Sequence, residues 1–487
     1  MAGAGNFNVF ERRPVNNQPT HPGDSTSINW SASSPWRIEL RATFTLALPI
    51  ILTQIAQVGI RAVDTIFLGR LGTPELAAGA LGGNFYFLFY LFGLGVVVSV
   101  SALAARAHGA GNADEVRRFV RQGLWAATAV GAPFIIVLWQ IEPILKLLGQ
   151  STENSTLASD YMQMMMWGLI PSLGIVALRS FISALSRPRS VLVITVLGVS
   201  VNSIGDYLLI FGNHGFPALG IAGAGLSSSI VNILMFSALL IYIVRDNQFR
   251  QYAILHRIWH TDWAKFFEIF RVGLPIGTSL LFEVGLFFSA SILLGLISTE
   301  QLAAHQIAMQ CISFTFMVPL GLAQAATIRV GLAAGAQDRI AVGRSGWMAI
   351  LLGGIFMVAA SYVFWFHPLP LIYVFLGERA ADSPEVVKFA VLLLAVAAIF
   401  QLADGLQALA AGALRGLRDT RTPMFIALFG FWIVGFPVSA LFGFWLDFEG
   451  VGVWSGLAVG LAVVAGLLLV RFYNWRKIPG ATIRTQP

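Results

Sequence analysis

The chain has 487 residues, 56% of them hydrophobic and only 11% charged, with 31 Lys and Arg against 24 Asp and Glu for a net charge of +7. A mean hydropathy of +0.75 excludes an ordinary soluble globular domain and points to lipid as the solvent. The single cysteine, Cys311, excludes a disulfide framework, a Cys-rich zinc site and a CxxC redox motif.

Residues 1–40 are rich in Asn, Pro, Ser and Thr and lack the apolar core and cleavage site of a signal peptide, so they read as an uncleaved, disordered cytoplasmic tail. Apolar runs long enough to cross a bilayer, about 20 residues each, then follow one another. In the first half they cover 43–69, 84–105, 122–145, 161–185, 191–212 and 219–244. Residues 246–266, with Trp259 and Trp263 among His and basic residues, read as a cytoplasmic linker carrying an amphipathic surface helix. The second half adds 267–297, 303–330, 345–376, 388–414, 422–446 and 451–473, before a cytoplasmic tail at 474–487. An even number of spans puts both termini on one side.

The basic residues fall in short clusters between these runs, which speaks for topology and against a nucleic-acid partner. With alternating spans, 26 of the 31 Lys and Arg collect on the side of the termini, Arg179, Arg187, Arg189, Arg329, Arg415 and Arg418 among them. Arg70, Lys146, Arg379 and Lys388 lie opposite, and Arg61 reads as the one cation within a span, snorkelling from its outer end. The termini are therefore expected in the cytoplasm and the protein in the plasma (inner) membrane.

Shifting the chain on itself by 226 positions aligns Leu48-Pro49-Ile50 with Leu274-Pro275-Ile276, Leu76-Ala77-Ala78 with Leu302-Ala303-Ala304, and Gly109-Ala110 with Gly335-Ala336. The predicted fold is all-α and integral to the membrane. Its twelve transmembrane helices form two homologous six-helix bundles, at 41–245 and 267–473, related by a pseudo-two-fold axis along the membrane normal. Substrate sites of such folds lie between the halves.

A carboxylate within a span costs about 2.5–3.5 kcal/mol on insertion scales, so each one is expected to be paired, protonated or functional. Asp64 follows Gln57 and Arg61 on the first span, as a cation site or as the partner of Arg61. Asn202 and Asp206, four residues apart on one helix face, suit joint cation binding or a polar bridge between helices. Glu283 and Asp404 are isolated acids on otherwise uncharged stretches, and the repeat sets Gln57 opposite Glu283. Cation binding is assigned to Glu283, Asp404, Asp64, Asp206 and Asn202, with Na+ at Glu283 and Asp404 as the metal reading. Substrate contact is assigned to Gln57, Glu283, Asp404 and Gln407. His305, without clustered ligands, reads as a packing or helix-end residue.

No Walker-type GxxxxGK[ST] segment and no catalytic constellation is visible in the sequence, so neither ATP drive nor an enzyme is expected, and no cofactor. An ion gradient, H+ or Na+, remains as the drive.

Several segments carry a family resemblance. They are Gly72-Thr73-Pro74-Glu75-Leu76-Ala77-Ala78 and its counterpart Ser298 to Gln306, Gly273-Leu274-Pro275-Ile276-Gly277 followed by Glu283, Asp64-Thr65, Asp206 to Gly212, and Ala413 to Thr420 after Asp404. Together they resemble the multidrug and toxic compound extrusion (MATE) family over about residues 43–473. Glu283 and Asp404 are similar to the NorM branch, while Asp64 and Asp206 also resemble the DinF branch. Where NorM-like members often carry a Tyr one turn before the acid of the tenth span, this chain has Phe400. The resemblance implies a monomeric antiporter that exports small amphipathic organic cations by alternating access between two bundles, with membrane lipids as its other partner. The nearest alternative is a lipid or glycolipid flippase of a related superfamily. Such a protein would line its cavity with several cations for phosphate, whereas these spans hold mainly acids.

Overall fold

A computed structural model describes residues 35–377 and 383–478. Among these described residues, twelve helices are long and apolar enough to cross a membrane: α1 (Pro35–Leu71), α2 (Thr73–Gly109), α3 (Ala113–Trp139), α4 (Thr152–Ala184), α5 (Arg189–Phe211), α6 (Ile221–Arg245), α7 (Trp263–Ile297), α8 (Thr299–Gly335), α9 (Arg339–Phe366), α10 (Pro384–Gly416), α11 (Arg421–Trp445) and α12 (Glu449–Tyr473). No strand occurs among the described residues. In lipid every backbone N–H and C=O must be satisfied within the segment, which leaves the helix as the spanning element here.

Short polar side chains set where the helices begin. Asn112, Ser151, Asp262, Ser298 and Asp338 each accept a hydrogen bond from a backbone N–H in the first turn of the helix that follows, replacing a partner that an N-terminal turn lacks. Ser298 alone separates α7 from α8, so these two must form a tight antiparallel hairpin. The α5 to α6 connection turns on Gly212 at φ +71, where a Cβ would sit 2.7 Å from the Ala218 nitrogen.

Three expectations about segments are corrected. The run at 345–376 is two helices, α9 and a separate Pro368–Leu376, because a proline N has no hydrogen to continue the ladder and disfavours α geometry in the residue before it. The linker carries no amphipathic surface helix. After a single turn at Asn247–Arg250 it runs through turns to α7, which starts at Trp263, with positive φ at Ala253 (44°) and Arg257 (56°). Its carbonyls are drawn onto α3: Arg121 donates to His256 and Arg257, Trp125 to Ile258 and Gln122 to His260, at 2.8–3.4 Å. These contacts and the positive-φ residues hold the segment as a chain of turns against α3. Finally, α1 begins at Pro35, inside the stretch read as tail; residues 1–34 and 479–487, where disorder was expected, lie outside the described residues, as does Arg379.

Within the first half, α1 packs on α5, α2 on α4, and α4 on α6; within the second, α8 and α12 both pack on α10. The halves meet where α2 lies against α7 and α8, and α1 against α8. Glycines make these crossings possible, since a Cβ on Gly95 would overlap the backbone of Gly277, and one on Gly109 the backbone of Leu332. Close backbone approach is what holds helices together when lipid is as apolar as the side chains. These contacts lie in the helix halves nearest the end that carries Pro35 and Tyr473. There, Arg329 forms a two-pronged ion pair with buried Glu39 (2.9 and 2.7 Å), joining α8 to α1. Lys265 bonds Glu115, and Glu268 bonds Arg418. This basic, strapped end of the molecule contrasts with the far end, where α1 runs into α2.

Candidate functional site: two intramembrane acid clusters

In the second half, α7 and α10 bring Glu283 and Asp404 together. One side chain links them, for the Gln407 amide nitrogen donates to Glu283 Oε1 at 3.1 Å and to Asp404 Oδ1 at 3.3 Å. Asp404 and Gln407 are buried, at 2% and 5% exposure, and Glu283 is half-buried. Gln407 is one turn after Asp404, so the same helix face presents both. Two carboxylates sharing one amide, in a region of low dielectric, have the chemistry to hold a proton or cation.

The ground under this cluster is aromatic. Trp432 donates its indole N–H to the Phe282 carbonyl at 3.2 Å, next to Glu283, from a π-helical stretch of α11 at Phe429–Gly435. Phe400 is fully buried, its ring 5.8 Å from Phe287 and 5.6 Å from Trp454. It adds apolar packing and no oxygen. His305 lies against the same Trp454, accepting its N–H at Nδ1 (3.1 Å) and meeting Ser291 Oγ with Nε2 at 2.8 Å. Both ring nitrogens are occupied by packing partners, as expected of a structural histidine.

The first half holds the other cluster. Asp64 of α1, Asn202 and Asp206 of α5 are all buried, and Asn202 and Asp206 face the Asp64 carboxyl. Ser228 Oγ of α6 donates to Asp64 Oδ2 at 3.0 Å. Beyond that bond, Asp64 Oδ1, both polar atoms of Asn202 and both oxygens of Asp206 have no hydrogen-bond partner among the described residues. Buried polar groups are nearly always satisfied, and two acids left so bare have the chemistry to take up a cation or a proton. Asp64 makes no ion pair with Arg61 among the described residues; that guanidinium lies over the Phe87 ring, 4.4 Å from its centroid. The run Ser227-Ser228-Ser229 marks a polar stretch of α6 in the sequence but not what it faces.

Gln57 does not join either cluster. Its Oε1 accepts from Arg179 Nη1 at 3.1 Å, and Gln54 Oε1 accepts from the same nitrogen at 3.3 Å. Arg179 is 6% exposed. Reading Arg61 as the one cation within a span is therefore corrected: Arg179 points into the bundle, five residues before α4 ends at Ala184. Its distance from Arg187 and Arg189, more than two helical turns, was the available clue.

Comparison with known proteins agrees with this architecture. The MatE family model matches residues 49–208 and again 275–441, so it matches twice, at starts separated by the 226 positions of the internal repeat. A probable multidrug resistance protein NorM from Mesorhizobium japonicum is 44% identical over 458 residues, covering 93% of this chain and 98% of that protein. Another from Bradyrhizobium diazoefficiens is 43% identical over 434 residues, 89% of this chain and 93% of its own. Among solved structures, the eukaryotic MATE transporter AtDTX14 superposes with a TM-score of 0.81 at 20% identity, over 92% of this chain and 98% of that one. The Vibrio cholerae MATE transporter VcmN in its bent form gives 0.81 at 17%, over 90% and 97%. Twelve membrane-crossing helices, a family model that matches both halves, and relatives aligned along nearly their whole length establish that this chain belongs to the MatE family of membrane transporters and is not an enzyme.

Proposed function

We propose that the protein exports amphipathic organic cations from the cytoplasm in exchange for H+ or Na+, by alternating access between its two bundles. The observation that carries this reading is the Glu283, Gln407, Asp404 cluster, two acids on facing helices joined by one amide. Aromatic rings beside it suit flat apolar cations. The name borne by the NorM relatives, multidrug resistance protein, supports the substrate class.

The basic end is the cytoplasmic one by the positive-inside rule, in a plasma (inner) membrane. With the bundles strapped together there, this arrangement is the outward-facing member of the cycle. Asp64, Asn202 and Asp206 serve as a second cation site, so that ion and drug occupy the two bundles in turn. A proton at either cluster needs only the side chains named. Sodium needs more oxygen ligands than Glu283, Asp404 and the Gln407 amide oxygen supply, and would draw the rest from water or backbone.

Counterflow in proteoliposomes, with Na+ and H+ gradients imposed separately, tests the proposal. Uptake of a fluorescent organic cation driven by one gradient is the expected result. Transport driven by neither, or of anionic dyes alone, would refute it.

A further inference from the structure

The buried Arg179 has no carboxylate within ion-pair distance among the described residues. Its Nη1 is spent on Gln54 and Gln57. A guanidinium has five N–H donors, and Nε and Nη2, which carry three of them, have no protein acceptor among the described residues. The guanidinium borders a small cavity, with room for little more than a water-sized particle, whose wall also includes Thr53, Gln54, Ser183 and, from the other bundle, Gln324 of α8. That space is below the roughly 300 Å³ at which drug-sized pockets begin. Its lining mixes these polar side chains with Ile50, Pro188 and Val191 and, apart from Arg179, is uncharged. Water filling it would supply acceptors but leave the buried positive charge uncompensated, which is costly in low dielectric.

We propose that this cavity binds one small monovalent anion, chloride in the cell, against the Arg179 guanidinium. Thr53 already donates to the Pro49 carbonyl at 2.7 Å, which leaves the Ser183 hydroxyl and the Gln324 amide to complete the anion's shell. Because Gln324 comes from the opposite bundle, the anion binds most tightly while α1 and α8 are in contact. By linkage it stabilises that arrangement over one in which the bundles part at this end. The inference does not depend on which cation is exported.

Direct binding of radiolabelled chloride to the purified full-length transporter in nanodiscs tests this, with gluconate, too large for the cavity, holding ionic strength constant. Saturable binding near one per protein is expected, together with a thermal midpoint that rises with chloride and stays flat in gluconate. Arg179→Gln should abolish both. Arg179→Lys, which keeps the charge but loses the planar fork, and Gln324→Leu, which leaves Arg179 and its glutamine partners intact, should each weaken binding at least fivefold. Equal thermal midpoints in chloride and gluconate with no saturable binding would overturn the proposal, as would unchanged binding in Gln324→Leu. Acetate should displace the label, as a small carboxylate of the same charge. Binding of acetate without binding of chloride would show a carboxylate subsite instead and would also overturn it.

Discussion

The two bundles share a backbone and differ in charge. At the position the repeat shares, the second bundle has Glu283, bridged to Asp404 through Gln407; the first has Gln57, held by a buried arginine. The acids of the first bundle lie elsewhere, toward the far ends of α1 and α5, and they lack a bridging amide, leaving five polar atoms without protein partners. The repeat preserves the crossing between the bundles, with Gly95 close against Gly277 and its counterpart Gly321 close against Ile51. The interior polar positions diverged, since a buried side chain can change its charge without moving the backbone if its neighbours change with it. One bundle holds its acids as a bridged pair, the other as a bare cluster set apart from its buried arginine.

The largest effect is expected at the bridged pair. Glu283→Gln with Asp404→Asn should lower gradient-driven export more than 100-fold, about 2.7 kcal/mol or more of lost driving interaction, while the protein stays folded by size-exclusion chromatography. Full ion-coupled transport by the double variant would show these acids to be structural. An exchange across the repeat comes next: Gln57→Glu added to Glu283→Gln should fail to restore export. Arg179 would neutralise the new acid where it stands, so recovered transport would mean that the local cation does not decide which bundle binds.

Asp64→Asn should reduce transport partially, on the order of tenfold, and Ser228→Ala, which removes one hydrogen bond worth about 1 kcal/mol, by only a few-fold. An Asp64→Asn variant as active as the native protein would remove the first cluster from the cycle. The strap at the basic end is predicted to act on stability: Arg329→Gln leaves Glu39 buried with Thr43 as its side-chain partner among the described residues, a loss of up to about 3 kcal/mol, read as a lower thermal midpoint. An unchanged midpoint would mean that water already satisfies Glu39.

The smallest effect belongs outside the spans, on the helix Ile141–Leu147. Its Lys146 ammonium bonds Glu142 at 2.7 Å and holds that carboxyl below its ordinary 4.5. A lowered folded-state value contributes stability above the ordinary pKa and loses it as pH falls through the folded one. Both groups are exposed, so Lys146→Ala should lower the thermal midpoint only slightly at neutral pH, and the difference from the native protein should vanish as pH falls through the folded-state value.

The four acids were legible because charge among apolar residues is conspicuous, and so was the pair Asn202 and Asp206 from its four-residue spacing. Arg179 was not, because it lies near the end of its helix and matches the basic residues that follow it. The partners that give the acids their character, Gln407 across to Glu283 and Ser228 across to Asp64, come from other helices. Spacing along one helix says nothing about them. The linker misled for a related reason: its tryptophans and basic residues suit a surface helix, but the donors on α3 that claim its carbonyls lie some 130 residues away.

By itself, the sequence determined the twelve spans, the two-fold repeat and the acids within the membrane. Each of these rests on a local property: the length of an apolar run against the thickness of a bilayer, a shift of the chain on itself, or a charge without solvent. Tertiary structure alone decided which acids lie together, that Arg179 faces a cavity between the bundles, and that Glu39 straps α1 to α8. Those outcomes depend on the rotation and crossing of helices distant in sequence, which packing of small residues sets and hydropathy does not record.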